Sequence, residues 1–194
     1  AARQNLIYSA LNWAIPVYAH IPLIHGADGK KLSKRNAATS VIEYKKMGYP
    51  AAAMRNYLAR LGWSHGDDEF FTDEQAKTWF NLQSIGKSPS RFDFKKLSNI
   101  SKLHIANTDN AALLHELTGY LKAVGQPAFS QAQLNGLLKS LDFTKNAVKS
   151  FSELIEKNRF ILHERPISFD PDIEGRIEDL PLNVLKILTP QLQN

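Results

Sequence analysis

The sequence predicts a mainly α-helical fold with one short strand-and-loop passage near its start. Three observations carry this expectation. Leucines recur at i, i+3, i+4 and i+7 in the second half, as in Leu134, Leu137, Leu138 and Leu141, a spacing that lines up side chains on one face of an α-helix. Helix-start chemistry recurs as well, with Ser40 and Glu43, and again Thr72 and Gln75, at capping-box spacing. Finally, 43% apolar residues in a chain of 194 suffice for a proper core, in one large domain or two modest ones.

Taken in order, Leu6, Ile7, Ala10, Leu11 and Trp13 predict an amphipathic helix that ends near Pro16. Val17 to Ile24 is apolar and partly β-branched, so it reads as a strand, with Pro22 placing it at an edge or an exit. Gly26 and Gly29 supply a turn. From Ser40 a helix runs through Val41, Ile42, Tyr44 and Met47 to a left-handed cap at Gly48. Pro50 opens the next helix, whose apolar face is Met54, Tyr57, Leu58 and Leu61, and Gly62 closes it. Thr72 starts another through Ala76, Trp79 and Phe80. In Arg91-Phe92-Asp93-Phe94-Lys95-Lys96 aromatics alternate with charge, so the phenylalanines are expected inside and the charges outside.

A boundary is expected between Ile105 and Asp109, ahead of a helix with Leu113, Leu114, Leu117, Leu121 and Val124 that Gly125 and Pro127 end. Ser130 caps the following helix, and Thr144 is read as the cap of a third through Val148, Phe151, Leu154 and Ile155. Pro166 to Pro171 reads as extended, and Leu180 to Leu192 as a helix that breaks near Pro190. Leucine stripes of this kind are the packing faces of a bundle and need no ligand.

Composition narrows the chemistry. A net charge of +5 fits a polyanionic partner without requiring one. With no cysteine there is no disulfide framework, thiolate metal site or cysteine nucleophile. His20, His25 and His65 lack the close spacing of a zinc pair, so no metal site is expected. No serine lies in a G-x-S-x-G elbow. There is no apolar run of membrane-spanning length, and Ala1 to Asn5 lack the apolar core of a signal peptide; the expected location is cytoplasmic.

The densest chemical signal is Lys30-Lys31-Leu32-Ser33-Lys34-Arg35, entered through Asp28-Gly29: four cations in six residues beside a glycine. Lysine ammonium groups on long stems can follow phosphate oxygens as negative charge moves. By charge alone the segment serves equally as a solvated basic turn.

This segment, with His20-Ile21-Pro22-Leu23-Ile24-His25-Gly26 before it, resembles the K-M-S-K-S region of class I aminoacyl-tRNA synthetases, and its K-L-S-K-R form is similar to that of bacterial glutamyl-tRNA synthetases. Three more blocks match that family in order: Arg55 to Leu58, Leu61 to Asp67, and Lys87 to Leu97. The resemblance is strong from Ala1 to about Ile105. It implies three regions: residues 1–37, the end of an α/β nucleotide-binding catalytic domain with the lysine loop; 38–107, a stem-contact domain; and 108–194, a helical anticodon-binding domain.

The resemblance also implies roles. The family activates glutamate with ATP, carried as its Mg²⁺ complex, and transfers it to the 3′ end of tRNA. Lys34 would bind ATP directly, Lys31 would support the loop or the phosphates, Ser33 would give a hydroxyl and backbone contact, and Leu32 and Arg35 complete the ATP-binding segment, with Lys30 and Arg35 equally readable as surface residues. Arg55, Lys87, Arg91, Lys95 and Lys96 are candidate tRNA contacts, balanced against a solvated face.

The family's H-I-G-H signature is absent, so the glutamate pocket is expected to precede Ala1 and the chain alone to be inactive. Other departures are Asn36-Ala37 in place of His-Gly, Asn99 and Ser101 in place of Trp and Asn, and Ala147-Val148-Lys149-Ser150-Phe151 in place of an Arg-x-Lys-Thr-Leu-like pattern. They leave two rivals open: a paralogue that glutamylates a different tRNA, such as the glutamine acceptor, and a helical RNA-binding module without enzyme activity.

Overall fold

The computed structural model describes residues 1–26, 28–32 and 40–162. The expected extended stretch Pro166 to Pro171 and the helix Leu180 to Leu192 lie outside them. In chain order the described elements are α1 (Ala2–Ala10), β1 (Ile24–His25), α2 (Val41–Lys46), α3 (Ala51–Arg60), α4 (Asp73–Trp79), β2 (Ser90–Arg91), α5 (Phe94–Asn107), α6 (Asn110–Ala123), α7 (Gln131–Thr144), a 3₁₀ turn (Lys145–Ala147), α8 (Phe151–Lys157) and α9 (Arg159–Leu162). Helices dominate, as the periodicity requires. Among the described residues no helix is long and apolar enough to cross a membrane.

Several ends form for the reasons the residues suggest. Thr72 and Gln75 exchange both bonds of a capping box at the start of α4, as Ser130 and Gln133 do for α7, so two orphan backbone donors are satisfied at each start. Asp93 and Asp109 cap α5 and α6, each accepting from two backbone N–H groups. Gly48 and Gly125 adopt φ of +88° and +71°, the left-handed conformation that stops a helix without a Cβ penalty.

Other expectations need correction. The first helix ends at Ala10 instead of near Pro16, because Asn12 takes φ +52° and turns the chain. Its apolar side is solvent-exposed, with Leu6 and Ile7 72% and 58% accessible. The strand expected over Val17 to Ile24 is regular only at Ile24–His25; the stretch before it makes no ladder, and Pro22 has no N–H to give one. Ser40 accepts from Ile42 N, and Glu43 pairs with Lys46 at 3.1 Å, so the capping box is not closed. Thr144 ends α7 and does not cap the next helix. Its hydroxyl donates to Ser140 O, and Ser150 caps α8 instead. Phe92 is buried as expected but Phe94, on the first turn of α5, is 44% accessible.

Two apolar cores form among the described residues. Tyr44, Ala53, Met54, Tyr57, Phe92, Leu97 and Ile100 form one; Ile105, Leu113, Leu117, Tyr120, Leu137, Leu141, Val148, Phe151 and Leu154 form the other. Fully burying a leucine- or phenylalanine-sized side chain contributes about 1.5–3 kcal/mol. Helix α5 serves both cores, giving Leu97 and Ile100 to the first and Ile105 to the second. Polar ties cross between them too. Phe151 N donates to Gly48 O at 2.8 Å, and the buried Ser101 hydroxyl donates to Lys149 O at 2.6 Å.

Candidate functional site

The basic segment leaves the first core as a tight hairpin. Gly26 N donates to Lys30 O (2.8 Å), Gly29 N to Gly26 O (3.0 Å) and Leu32 N to Ile24 O (2.9 Å). Gly29 has φ +76°, which glycine alone adopts without penalty. Asp28 steadies the turn by accepting Lys30 N at 3.0 Å. Lys31 bridges antiparallel to His25, and both Lys30 and Lys31 are exposed. Leu32 points the other way and packs against the first core. Ser33, Lys34 and Arg35 lie outside the described residues.

The hairpin is held from behind by a distant segment. β1 pairs parallel with β2, Ile24 against Ser90 and His25 against Arg91, through Ser90 N to Leu23 O (3.1 Å) and Phe92 N to His25 O (2.8 Å). A Cβ added at Gly29 would lie 3.6 Å from Arg91 Nη2, so the guanidinium reaches the base of the loop. Behind β2, Phe92 meets Tyr57 edge-on with centroids 5.0 Å apart. Asp93 N donates to the Tyr57 hydroxyl at 2.6 Å. Burial pushes that phenol up to about 12, so it stays protonated.

Of the candidate RNA contacts, Lys87, Arg91, Lys95 and Lys96 are exposed, and no carboxylate of the described residues forms an ion pair with any of them. They lie around β2 and the first turn of α5. Arg55 differs: its guanidinium grips Asp73 through Nε at 3.0 Å and Nη2 at 2.6 Å, and this pairing lowers the Asp73 pKa.

Next to that pair is a buried polar cluster that sequence reasoning did not single out. Asn56, 2% accessible, donates to Glu69 O and accepts from Phe71 N, and its Oδ1 also meets His104 Nε2 at 2.9 Å. Burial pulls His104 down to about 4. The available signal was a polar residue inside an apolar stripe, Asn56 between Met54 and Tyr57. Arg60 was also passed over; it donates to Asp68 O and sits beside Arg91 and Lys96 in a pocket. The departures from the family pattern have structural places. Asn99 is exposed and Ser101 is fully buried, while Ser150, standing at the threonine of the Arg-x-Lys-Thr-Leu-like pattern, caps α8. Among the described residues no group of three or more His, Asp or Glu could hold a metal ion.

Residues 1–99, which contain the hairpin and its β2 partner, match the family model described as the catalytic domain of class I tRNA synthetases (E and Q). The chain belongs to this family. Its sequence is 58% identical over 194 residues to glutamate–tRNA ligase 2 of Ruegeria pomeroyi and 56% identical to glutamate–tRNA ligase 1 of a Jannaschia species, matching along its whole length in both cases. It spans 42% and 41% of those curated relatives. Among solved structures, the chain is similar to the glutamate–tRNA synthetase of Elizabethkingia anophelis, with TM-score 0.64 and 26% identity over 90% of this chain and 38% of that one. A glutamate–tRNA ligase of Elizabethkingia meningosepticum, solved with its amino acid, gives TM-score 0.65 with the same identity and coverage.

Proposed function

We propose that this chain is part of a glutamate–tRNA ligase and carries the lysine element that grips ATP, together with surface that meets tRNA. The observation that carries the reading is the basic hairpin: a K-L-S-K-R segment leaving a tight turn, inside the stretch that matches the class I catalytic domain. In the reaction, the glutamate carboxylate attacks the α-phosphate of Mg²⁺-bound ATP and pyrophosphate leaves; the glutamyl group of the resulting adenylate then passes to the hydroxyl at the 3′ end of tRNA, and AMP leaves. Lys34 binds the ATP phosphates, and Lys31 supports the loop or the phosphates beside it. Ser33 adds a hydroxyl and backbone contact, and Leu32 anchors the segment on the core. Cations positioned where charge develops contribute several kcal/mol to such steps. Glutamate, ATP and tRNA are thus the partners, in the cytoplasm.

The regional layout belongs to the same proposal: residues 1–37 close the catalytic domain, 38–107 form the stem-contact domain and 108–194 the helical anticodon-binding domain. Lys87, Arg91, Lys95 and Lys96 supply tRNA phosphate contacts. Arg55 contributes least, its fork being occupied by Asp73.

The test is glutamate-dependent ATP–pyrophosphate exchange by the complete protein that contains this chain. Lys34→Ala should slow adenylate formation ~10²–10³-fold with little change in stability, by analogy with other charge-stabilising donors. Lys30→Ala is the internal control, and equal small effects of the two would refute the role of Lys34. The 194-residue chain by itself should give no exchange. A second reading, charging of a different tRNA such as the glutamine acceptor, is favoured by Ala147 standing where the family pattern has arginine. Charging assays with purified glutamate and glutamine acceptors separate the two.

A further inference from the structure

Where α3 ends, β2 passes and α5 begins, a pocket of about 340 Å³ opens, lined by Tyr57, Arg60, Leu61, Glu69, Ser90, Arg91, Asp93, Lys96 and Ile100. Three cations from three separate elements line it. None of them forms an ion pair with a described carboxylate. Arg60 is engaged only with a neutral backbone carbonyl, that of Asp68. The Ser90 hydroxyl is shut off from solvent and has no hydrogen-bond partner, although buried hydroxyls nearly always find one. Asp93 caps α5 through one carboxylate oxygen, Oδ1, which accepts from Lys95 N at 2.7 Å and Lys96 N at 3.3 Å. Glu69 and the second oxygen of Asp93 are acceptor-only groups on a wall otherwise lined by cations.

We infer that this pocket binds one ribose-phosphate unit of an RNA backbone, its phosphate held by Arg60, Arg91 and Lys96, and its 2′-hydroxyl donated to the Glu69 carboxylate. A free inorganic anion would find three cations but would be repelled by the Glu69 and Asp93 carboxylates. A ribose hydroxyl turns that carboxylate into a partner, and a 2′-hydroxyl is what separates RNA from DNA at a single site. No exposed aromatic ring lines the pocket for a base to stack on, since Tyr57 is 2% accessible. The site therefore fixes register and backbone type and reads no base. The exposed cations Lys87 and Lys95 extend positive charge beyond the pocket, as a polymer would require and a mononucleotide would not. This inference rests on the reading that the protein meets tRNA, and it names where and how one of those contacts is made.

The test is a titration of the 194-residue chain with a tRNA-sized RNA hairpin, the DNA hairpin of the same sequence, and inorganic phosphate, at several salt concentrations. Expected results are that RNA binds more tightly than DNA and phosphate binds negligibly. Arg91→Gln and Lys96→Gln should each weaken RNA binding ~10-fold and flatten the salt dependence by about one phosphate contact, ~0.7–0.9 in log–log slope. Glu69→Gln should reduce the preference for RNA over DNA while retaining DNA affinity. Lys77→Gln removes equal charge elsewhere and is the control. Circular dichroism melting confirms each variant folded, and Lys96, exposed and uninvolved in the core, keeps the test informative if Arg60 or Arg91 variants melt. Pocket variants indistinguishable from Lys77→Gln, or a preference for RNA untouched by Glu69→Gln, would overturn the pocket while leaving tRNA binding intact. Absence of any RNA binding by the unaltered chain would overturn both.

Discussion

The side-chain oxygen of Asn56 accepts a hydrogen bond from His104 Nε2 across 2.9 Å, and the direction follows from its other bonds. Phe71 N can only donate, so the atom it meets at 3.1 Å must be the amide oxygen; Nδ2 correspondingly donates to Glu69 O at 3.1 Å. His104 is therefore the neutral tautomer with its proton on Nε2.

A pH dependence follows. Burial lowers the His104 pKa to about 4, against an ordinary value of 6.5. Above pH 6.5 both folded and unfolded states hold it neutral and the stabilisation is complete. Between 6.5 and 4 the unfolded chain takes up a proton that the folded one refuses, so stability falls as pH falls. The full loss is on the order of 3 kcal/mol. Urea unfolding of the chain at steps from pH 7 to 4.5 should show this slope, and His104→Gln, which cannot titrate, should remove it.

The same neighbourhood sets a contrast of magnitudes. Asn56→Ala would leave a buried backbone N–H at Phe71 and the His104 ring without partners, at a cost of about 2–4 kcal/mol. Asp73→Ala breaks a bidentate pair to Arg55, yet that pair is partly exposed, with side chains 57% and 38% accessible, and such pairs contribute about 0–1 kcal/mol. Chemical denaturation of both variants checks the ordering. A larger loss at Asp73 than at Asn56 would contradict it.

Gly48→Ala should be among the most damaging single-methyl additions. The residue has φ +88°, and a Cβ there would sit 2.9 Å from Ser152 N and 3.0 Å from Phe151 N, both backbone atoms that cannot swing away. Strain and overpacking each cost about 1–3 kcal/mol. The Gly48 O to Phe151 N bond that ties the cores would be strained with it. By comparison Gly119→Ala meets nothing within 4 Å and sits inside α6, so it should stabilise by up to about 1 kcal/mol. Thermal melts of the two variants should move in opposite directions.

Full-length tRNA should bind the chain weakly and lose affinity steeply with salt. Each neutralised phosphate contributes about −0.7 to −0.9 to the log–log slope, so Lys87, Arg91, Lys95 and Lys96, which no described carboxylate pairs, should be visible between low and moderate ionic strength. Filter binding across that range is sufficient.

The sequence made much of this legible where the signal is local. Thr72 with Gln75, Asp109 ahead of α6, Ser130, Gly48 and Gly125 announce their helix ends because capping is short-range chemistry. The lysine hairpin was legible as a turn and, through the ordered blocks around it, as a family feature. What sequence reading missed depends on partners far along the chain. Val17 to Pro22 has the composition of a strand but finds no neighbouring strand among the described residues; Thr144 yields its capping role to Ser150 because its hydroxyl is taken by the buried Ser140–Asn158 network. Arg55 reads as a free cation until Asp73, on another helix, comes within 2.6 Å. Arg91 and Lys96 are candidates from sequence, but Arg60 is not, and the three meet only in three dimensions.

The parallel pairing of His25 with Arg91 has a consequence in time. About 66 residues separate the two strands, and ribosomes add roughly 5–20 residues per second. For about 3–13 s of each synthesis the basic hairpin has emerged while the strand that backs it has not been made. During that interval the edge of β1 has unpaired backbone groups, the kind that invites pairing with other chains. Lys30 and Lys31, exposed beside that edge, place charge where such pairing would begin.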